Sequence, residues 1–263
     1  MIKWWINLKI KYILVFSLIV VSFYFTDRVM VYINNKNPIM KEIVLNKDKY
    51  KVDAVNAIIE DNTIIPGVNG KEVDVNKSFN KMENYGYFNE LYLQYDVSAP
   101  ILSLNDNKDK IIIKGNPKKK MVALVVDHNE EVKNYLKQNN IKYTLIANSE
   151  DVIDKKEEYI NGETDEELFS NLNSILNHKK VNSKLCLVGK SNLELCKKKK
   201  FYLFKYSIDM DNNLIKNVNE VSAGDIIYVS PNSALAKLKV LLNEISRVDL
   251  EITYLSKLIS EEN

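Results

Sequence analysis

The chain has 263 residues, 46% of them hydrophobic, which is enough for one sizeable core and a smaller satellite unit. Lys and Arg (37) nearly balance Asp and Glu (35), leaving a formal charge of only +2, so the strongly basic signature of a nucleic-acid binder is excluded. Tyr12 to Phe25, YILVFSLIVVSFYF, carries no charge. Those 14 residues are short of the roughly 20 that cross a bilayer, but Lys9 and Lys11 can snorkel, adding Ile6, Leu8 and Ile10 with Trp4 and Trp5 at the interface. Lys3, Lys9 and Lys11 precede the run, while Asp27 and Arg28 follow it. The positive-inside rule then expects a single-pass cell-membrane anchor over 1–28, N-terminus cytoplasmic, with the module after it extracytoplasmic. The rival reading is a cleaved signal peptide, although no A-x-A site appears near Val20 to Ser22.

Residues 29–39, with Asn34 to Asn37 and Pro38, read as a linker. A small β-rich domain is expected over 40–117, with extended runs KEIVLN (41–46), YKVDAVNAIIE (50–60) and KIIIKG (110–115). It also holds turns at Pro66-Gly67 and Asn69-Gly70 and a helix over 76–84. Its tyrosines 85, 87, 92 and 95, with Phe88, suit either sugar stacking or cross-strand packing. From 118 to 263, apolar strand patterns alternate with amphipathic helices. The strands are MVALVVD (121–127), KYTLIA (142–147), KLCLVG (184–189), KFYLFKYS (200–207), GDIIYVS (224–230) and EITYL (251–255). Helical patterns run over 130–140, 165–178, 192–199 and 233–246, so the fold class is α/β with a mainly parallel sheet or barrel. Sites in such folds lie at the C-terminal ends of strands, here at Asp127-His128, Asn148, Gly189-Lys190 and Ser230 to Asn232.

No G-x-G-x-x-G or Walker-type run and no serine nucleophile elbow is present, so no nucleotide is expected. Cys186 and Cys196 fit neither a metal knuckle nor a redox motif; they are either two buried small side chains or a strand-to-helix disulfide, which an exported module permits. The run Lys197 to Lys200 could touch anionic wall polymers or lipid headgroups, or simply complement a helix C-terminus.

KMVALVVDHN (120–129), with VSAGDIIYVSPNSALAKLKVLLNEISRVDLEITYLSKLISEE (221–262) and the lead-in IIPGVNGKEVDVNKSFNKM, resembles the polysaccharide deacetylase (NodB homology) family. The resemblance spans about 64 to 262 and implies an incomplete (β/α) barrel of membrane-anchored, deacetylase-like type. Active members hold a divalent metal with one aspartate and two histidines, and use a second aspartate as base and a late histidine as acid. By that pattern Asp127 is a vestigial base, His128 replaces the metal-binding aspartate, the H-x-x-x-H pair is missing and Ser230 stands at the closing histidine. The expectation is a pseudoenzyme with no metal cofactor, binding or organising cell-envelope glycan with Asn148, Lys190 and Asn232 as contact candidates. Two alternatives remain. One is a working carbohydrate deacetylase with a divalent metal such as zinc on Asp127, His128 and His178; the other is a structural scaffold for an envelope partner. Neighbouring residues on a strand point to opposite faces, so the metal alternative needs a sharp turn at His128.

Overall fold

The computed structural model describes residues 15–25, 32, 36–212 and 221–262. Residues 15–25 are helical and expose Phe16, Leu18 and Phe23. No helix among the described residues is long and apolar enough to cross a membrane; the first part of the expected span lies outside the described residues.

The chain divides into two compact units, and each is assembled from separate pieces of sequence: Met1–Asp53 with Lys71–Val97, and Ala54–Gly70 with Ser98–Asn263. The smaller unit is not β-rich. KEIVLN, expected to be extended, lies in helix α1 (Pro38–Asn46), because the Asn37 side chain accepts from the Ile39 amide and Pro38 supplies a preset φ at the first helical position. Ile39, Met40 and Ile43 then fall on one face and pack with Phe79 and Met82 of α2 (Val75–Glu83), capped by Asp74. Strands β3 (Gly70–Val73) and β4 (Tyr95–Ser98) pair beside them.

The larger unit contains two sheets. The first runs β11-β12-β6-β7-β8, all parallel: β6 (Met121–Asp127), β7 (Thr144–Ala147), β8 (Glu158–Asn161), β11 (Ile208–Asp209) and β12 (Ile226–Val229). Strand β13 (Glu251–Thr253) pairs the start of β6. The second runs β1-β2-β5-β10-β9: β1 (Ile58–Glu60), β2 (Thr63–Ile65), β5 (Ile111–Ile112), β9 (Leu185–Leu187) and β10 (Tyr202–Phe204), parallel except for the β1-β2 hairpin. The boundary expected at 117 therefore cuts through a sheet, since β5, which carries β2 and β1 beside it, pairs with β10 about ninety residues later. Strand β8, EYIN, has no apolar run to mark it, since Tyr159 and Ile160 stand alone between Glu158 and Asn161.

Alternation along β6 sorts its side chains. Val122, Leu124 and Val126 pack under helices α3 (Glu130–Gln138), α4 (Glu166–Lys179) and α6 (Leu235–Arg247), while Ala123 and Val125 join Ile146, Ile160, Leu187, Phe204 and Ile226 in the core between the sheets. Continuous apolar runs are what strands covered on both faces require. Two further helices complete the unit: α5 (Leu193–Lys198), and α7 (Leu255–Ile259), whose Leu255 and Leu258 are fully buried. Beyond α7, Glu261 closes the structure. Its carboxylate accepts from the Gly67 and Leu104 amides, and its carbonyl accepts from the Asn69 amide at 2.6 Å.

Gly224 lies at φ +93, and a Cβ there would stand 2.2 Å from the Gly115 carbonyl oxygen, backbone against backbone. Gly224→Ala is expected to destabilise the larger unit by about 2 kcal/mol or more, lowering its unfolding temperature by roughly 4–8 °C. An unchanged melt would show that the two loops separate freely.

Candidate functional site at the carboxyl end of the first sheet

The parity that sends Ala123 and Val125 into the core sends Asp127 the same way, one step beyond the last apolar layer, where it is 5% exposed. Its carboxylate is surrounded by donors. The Tyr228 hydroxyl from β12 donates to Oδ2 at 2.6 Å, the Lys190 ammonium stands 3.2 Å from the same oxygen, and His128 Nδ1 lies 2.7 Å from Oδ1. Burial opposes the charge on Asp127, but these three hydrogen bonds outweigh it and hold the carboxyl below its ordinary value.

His128 reaches its neighbour because it occupies the left-handed region, φ 43, so the chain turns at the end of β6. Its Nε2 then lies 3.1 Å from Asp151 Oδ2, and Asp151 is itself held by the Asn148 amide at 2.7 Å. Burial lowers the tendency of His128 to protonate, yet the hydrogen bond to Asp127 and the negative charge of Asp151 prevail and raise its pKa. With a carboxylate at each ring nitrogen, both nitrogens donate only in the imidazolium. Asn129 fixes the turn, capping α3 at the Val132 amide while its Nδ2 donates to the carbonyls of Ser230, Pro231 and Ser233.

Lys190 sits in the turn after β9, where Gly189 takes φ +92. Tyr206 stacks on Tyr228, with ring centroids 4.8 Å apart and planes 15° apart. Beside them Ser230 and Ser233 donate to Asp211 Oδ2 at 2.5 and 2.7 Å, and the Asn232 amide donates to Ser230 Oγ. Asn148 is half-buried, with Oδ1 in the space a Cβ on Gly162 would fill, and Asn232 is exposed.

The structure thus gathers Asp127, His128 and Lys190, sets Asn148 behind Asp151, and places Asn232 on the adjoining turn. It does not bring His178 to them. His178 lies in the last turn of α4, exposed, and α4 runs back against the strand direction, so its end meets the start of β8, where the Tyr159 amide donates to the Val181 carbonyl. The ligand set Asp127, His128 and His178 is therefore excluded by topology. Sequence reasoning missed Asp151, Tyr206, Asp211 and Tyr228. Tyr228 had a signal, because the alternation in IIYV places it on the same face as Ile226. Cys186 of β9 and Cys196 of α5 form a disulfide.

A divalent metal is what the family resemblance implies, and the donors present do not fit one. The Lys190 ammonium is already paired with Asp127 Oδ2, and both His128 nitrogens are committed to carboxylates. Among the described residues, no group of three or more His, Cys, Asp or Glu side chains is placed to hold a metal. Asp127 is also a poor general base near neutral pH, because its donors favour the ionised form. The enclosed cavity beside His128 holds about 20 Å³, room for about one water, so any larger ligand would lie on the open rim outside it.

The chain has a deacetylase-like fold, an α/β arrangement with parallel sheets resembling the carbohydrate esterases of family CE4. The comparison that carries this is with the wild-type CE4 family pseudoenzyme from Bacillus anthracis: 19% identity, 85% of this chain, 95% of that chain and a TM-score of 0.60. A mutant of that pseudoenzyme with restored enzymatic activity matches at 20% identity over 85% of this chain and 98% of its own, also with a TM-score of 0.60. At these identities the likeness is one of fold. By sequence the chain is 35% identical over 94 residues to the uncharacterized protein YlxY of Bacillus subtilis (strain 168), a match covering 35% of this chain. It spans 30% of the length of that curated relative. No family model matches.

Two outcomes follow from the Asp127 cluster. Because the folded pKa of His128 is raised, its protonated ring stabilises the fold fully below the unfolded value of about 6.5, and this contribution is lost as pH rises through the folded value. Ring resonances followed across pH should place His128 above 6.5, and Asp127→Asn should lower that midpoint; a midpoint at or below 6.5 would break the electrostatic account. Tyr228→Phe, which removes a hydrogen bond to a buried charge, should cost about 2 kcal/mol in chemical unfolding, and a loss near zero would show that the tyrosine is dispensable to Asp127.

Proposed function

We propose that this is an extracytoplasmic, deacetylase-like protein, held at the cell membrane by its N-terminal helix, that binds cell-envelope glycan at the carboxyl end of the first sheet and does not hydrolyse it. The observation that carries the reading is the ammonium of Lys190 lying 3.2 Å from the Asp127 carboxylate, the group that the family pattern makes the base, so that this carboxylate is already paired. Amide hydrolysis of this type requires a water activated by a metal and a base able to take its proton. Here the carboxylate is ion-paired and the imidazole is doubly hydrogen-bonded. Glycan binding is supported by the polar rim of Asn148, Lys190 and Asn232 and by the exposed Tyr206 ring, an arrangement in which hydroxyls meet amides and a sugar face meets an aromatic one. Placement outside the cytoplasm is supported by three features. They are the lysines at 3, 9 and 11, the helix exposing Phe16, Leu18 and Phe23, and the Cys186–Cys196 disulfide, a bond that persists in oxidising compartments.

The test uses the full chain in detergent with purified peptidoglycan and acetylated chito-oligosaccharides. Retention on the insoluble wall is expected, weakened by about tenfold in a Lys190→Ala, Asn148→Ala, Asn232→Ala variant, with acetate release at the blank level with or without added zinc. Acetate above the blank overturns the non-hydrolytic part. Failure to sediment with wall material removes glycan binding and leaves the scaffold reading.

A further inference from the structure

A second concavity lies on the opposite surface of the second sheet from the core, independent of the Asp127 cluster. It measures about 800 Å³, within the roughly 300–1,000 Å³ range of small-ligand sites. Its floor is apolar: Val188 and Leu193 are half-buried and Phe201 is buried, all belonging to the cluster that packs around the disulfide. Its rim is cationic. Lys108, Lys197 and Lys200 line it and are exposed, facing one lining carboxylate, Asp109, and none of the three ammonium groups forms an ion pair with a described residue. Lys108 instead lies over the Tyr202 ring at 5.6 Å.

Two constraints narrow what such a cleft would hold. Asn62 and Asn105 also line the cleft, but the floor of Val188, Leu193 and Phe201 offers no partner to sugar hydroxyls laid on it, and each buried unpaired hydroxyl costs about 1–3 kcal/mol, so a glycan is disfavoured there. A bare phosphate would use the lysines and leave the floor wet. The ligand that satisfies both surfaces carries an anionic group and an apolar chain together. The disulfide matters here, because α5 is only six residues long, too short to persist unaided, and Cys196 ties it to β9 so that Lys197 and the residues following stay over the floor.

We propose that this cleft binds an anionic amphiphile, the phosphate-bearing head and proximal acyl chain of a lipid, with the phosphate among Lys108, Lys197 and Lys200 and the chain on Val188, Leu193 and Phe201. Phosphate geometry suits the lysines as point charges, and the apolar segment supplies the area that retains the ligand.

The experiment reconstitutes the full chain in phosphatidylcholine nanodiscs and titrates short-chain lipids by calorimetry, with empty discs as the blank. Dihexanoyl phosphatidic acid is expected to bind saturably at one per chain, at least about tenfold tighter than dihexanoyl phosphatidylcholine or glycerol 3-phosphate. The Lys108→Ala, Lys197→Ala, Lys200→Ala variant, changed only at exposed positions, should lose about tenfold or more, and Leu193→Ser should weaken the lipid without altering glycerol 3-phosphate. Absence of saturable binding, equal affinity for glycerol 3-phosphate, or an unaffected triple variant would each overturn the proposal. Should the triple variant melt early, Lys200→Ala alone serves the same comparison.

Discussion

A carboxylate removed from water must be compensated, and the arrangement around Asp127 is organised by that need. It stands at the end of β6 with almost no exposure, so an uncompensated charge would cost several kcal/mol. The compensation comes from three directions: β12 through Tyr228, the turn after β9 through Lys190, and the residue just past its own strand through His128. Each donor binds a different part of the larger unit to the same point, which is why the carboxyl ends of strands from both sheets meet there. The negative charge of Asp151 lies on the far side of the imidazole and favours its protonation, so the cluster of two carboxylates, one ammonium and one imidazolium is balanced without any added ion.

This balance separates the fold from the chemistry that the fold can host. A strand end in a parallel sheet is a place where side chains from several elements converge, and the same convergence that can assemble a metal centre can assemble a closed ion-pair network. What decides between them is the identity of two or three side chains. Here a lysine is paired with the carboxylate and a histidine is clasped at both nitrogens, so the geometry disfavours activating water. The second concavity follows a different rule: its three lysines form no ion pair with a described residue, and they stand beside an apolar floor of Val188, Leu193 and Phe201.

Much of the larger unit was legible from periodicity. Strands β6, β7, β9, β10, β12 and β13 and helices α3 to α6 announce themselves as apolar runs alternating with amphipathic ones, because each must bury a defined face. The smaller unit misled, since Ile43, Val44 and Leu45 suggest extension while Asn37 and Pro38 start a helix; capping outweighed β-propensity. Domain limits misled because the chain leaves and re-enters each unit, and hydropathy carries no record of long-range pairing. At the site, Asp127, His128 and Lys190 were found from their strand-end positions. Their contacts were not, because a left-handed residue at 128 reverses the expectation that adjacent side chains diverge, and Asp151 acts from a loop whose conformation no periodic pattern describes.

The bonds made by Glu261 bear on how the chain folds. The loops at Gly67, Asn69 and Leu104 are made early, yet their amides find partners only at Glu261, 194 and 157 positions later for the two side-chain bonds. Contacts of such separation are slow to form, because the intervening chain must be closed first. A nascent chain therefore pairs β2 with β5 well before it can make these bonds, and the amides of Gly67, Asn69 and Leu104 gain their Glu261 partners only once residue 261 has been added. During that interval those loops hold unsatisfied donors, and they are where a wrong partner would be taken up.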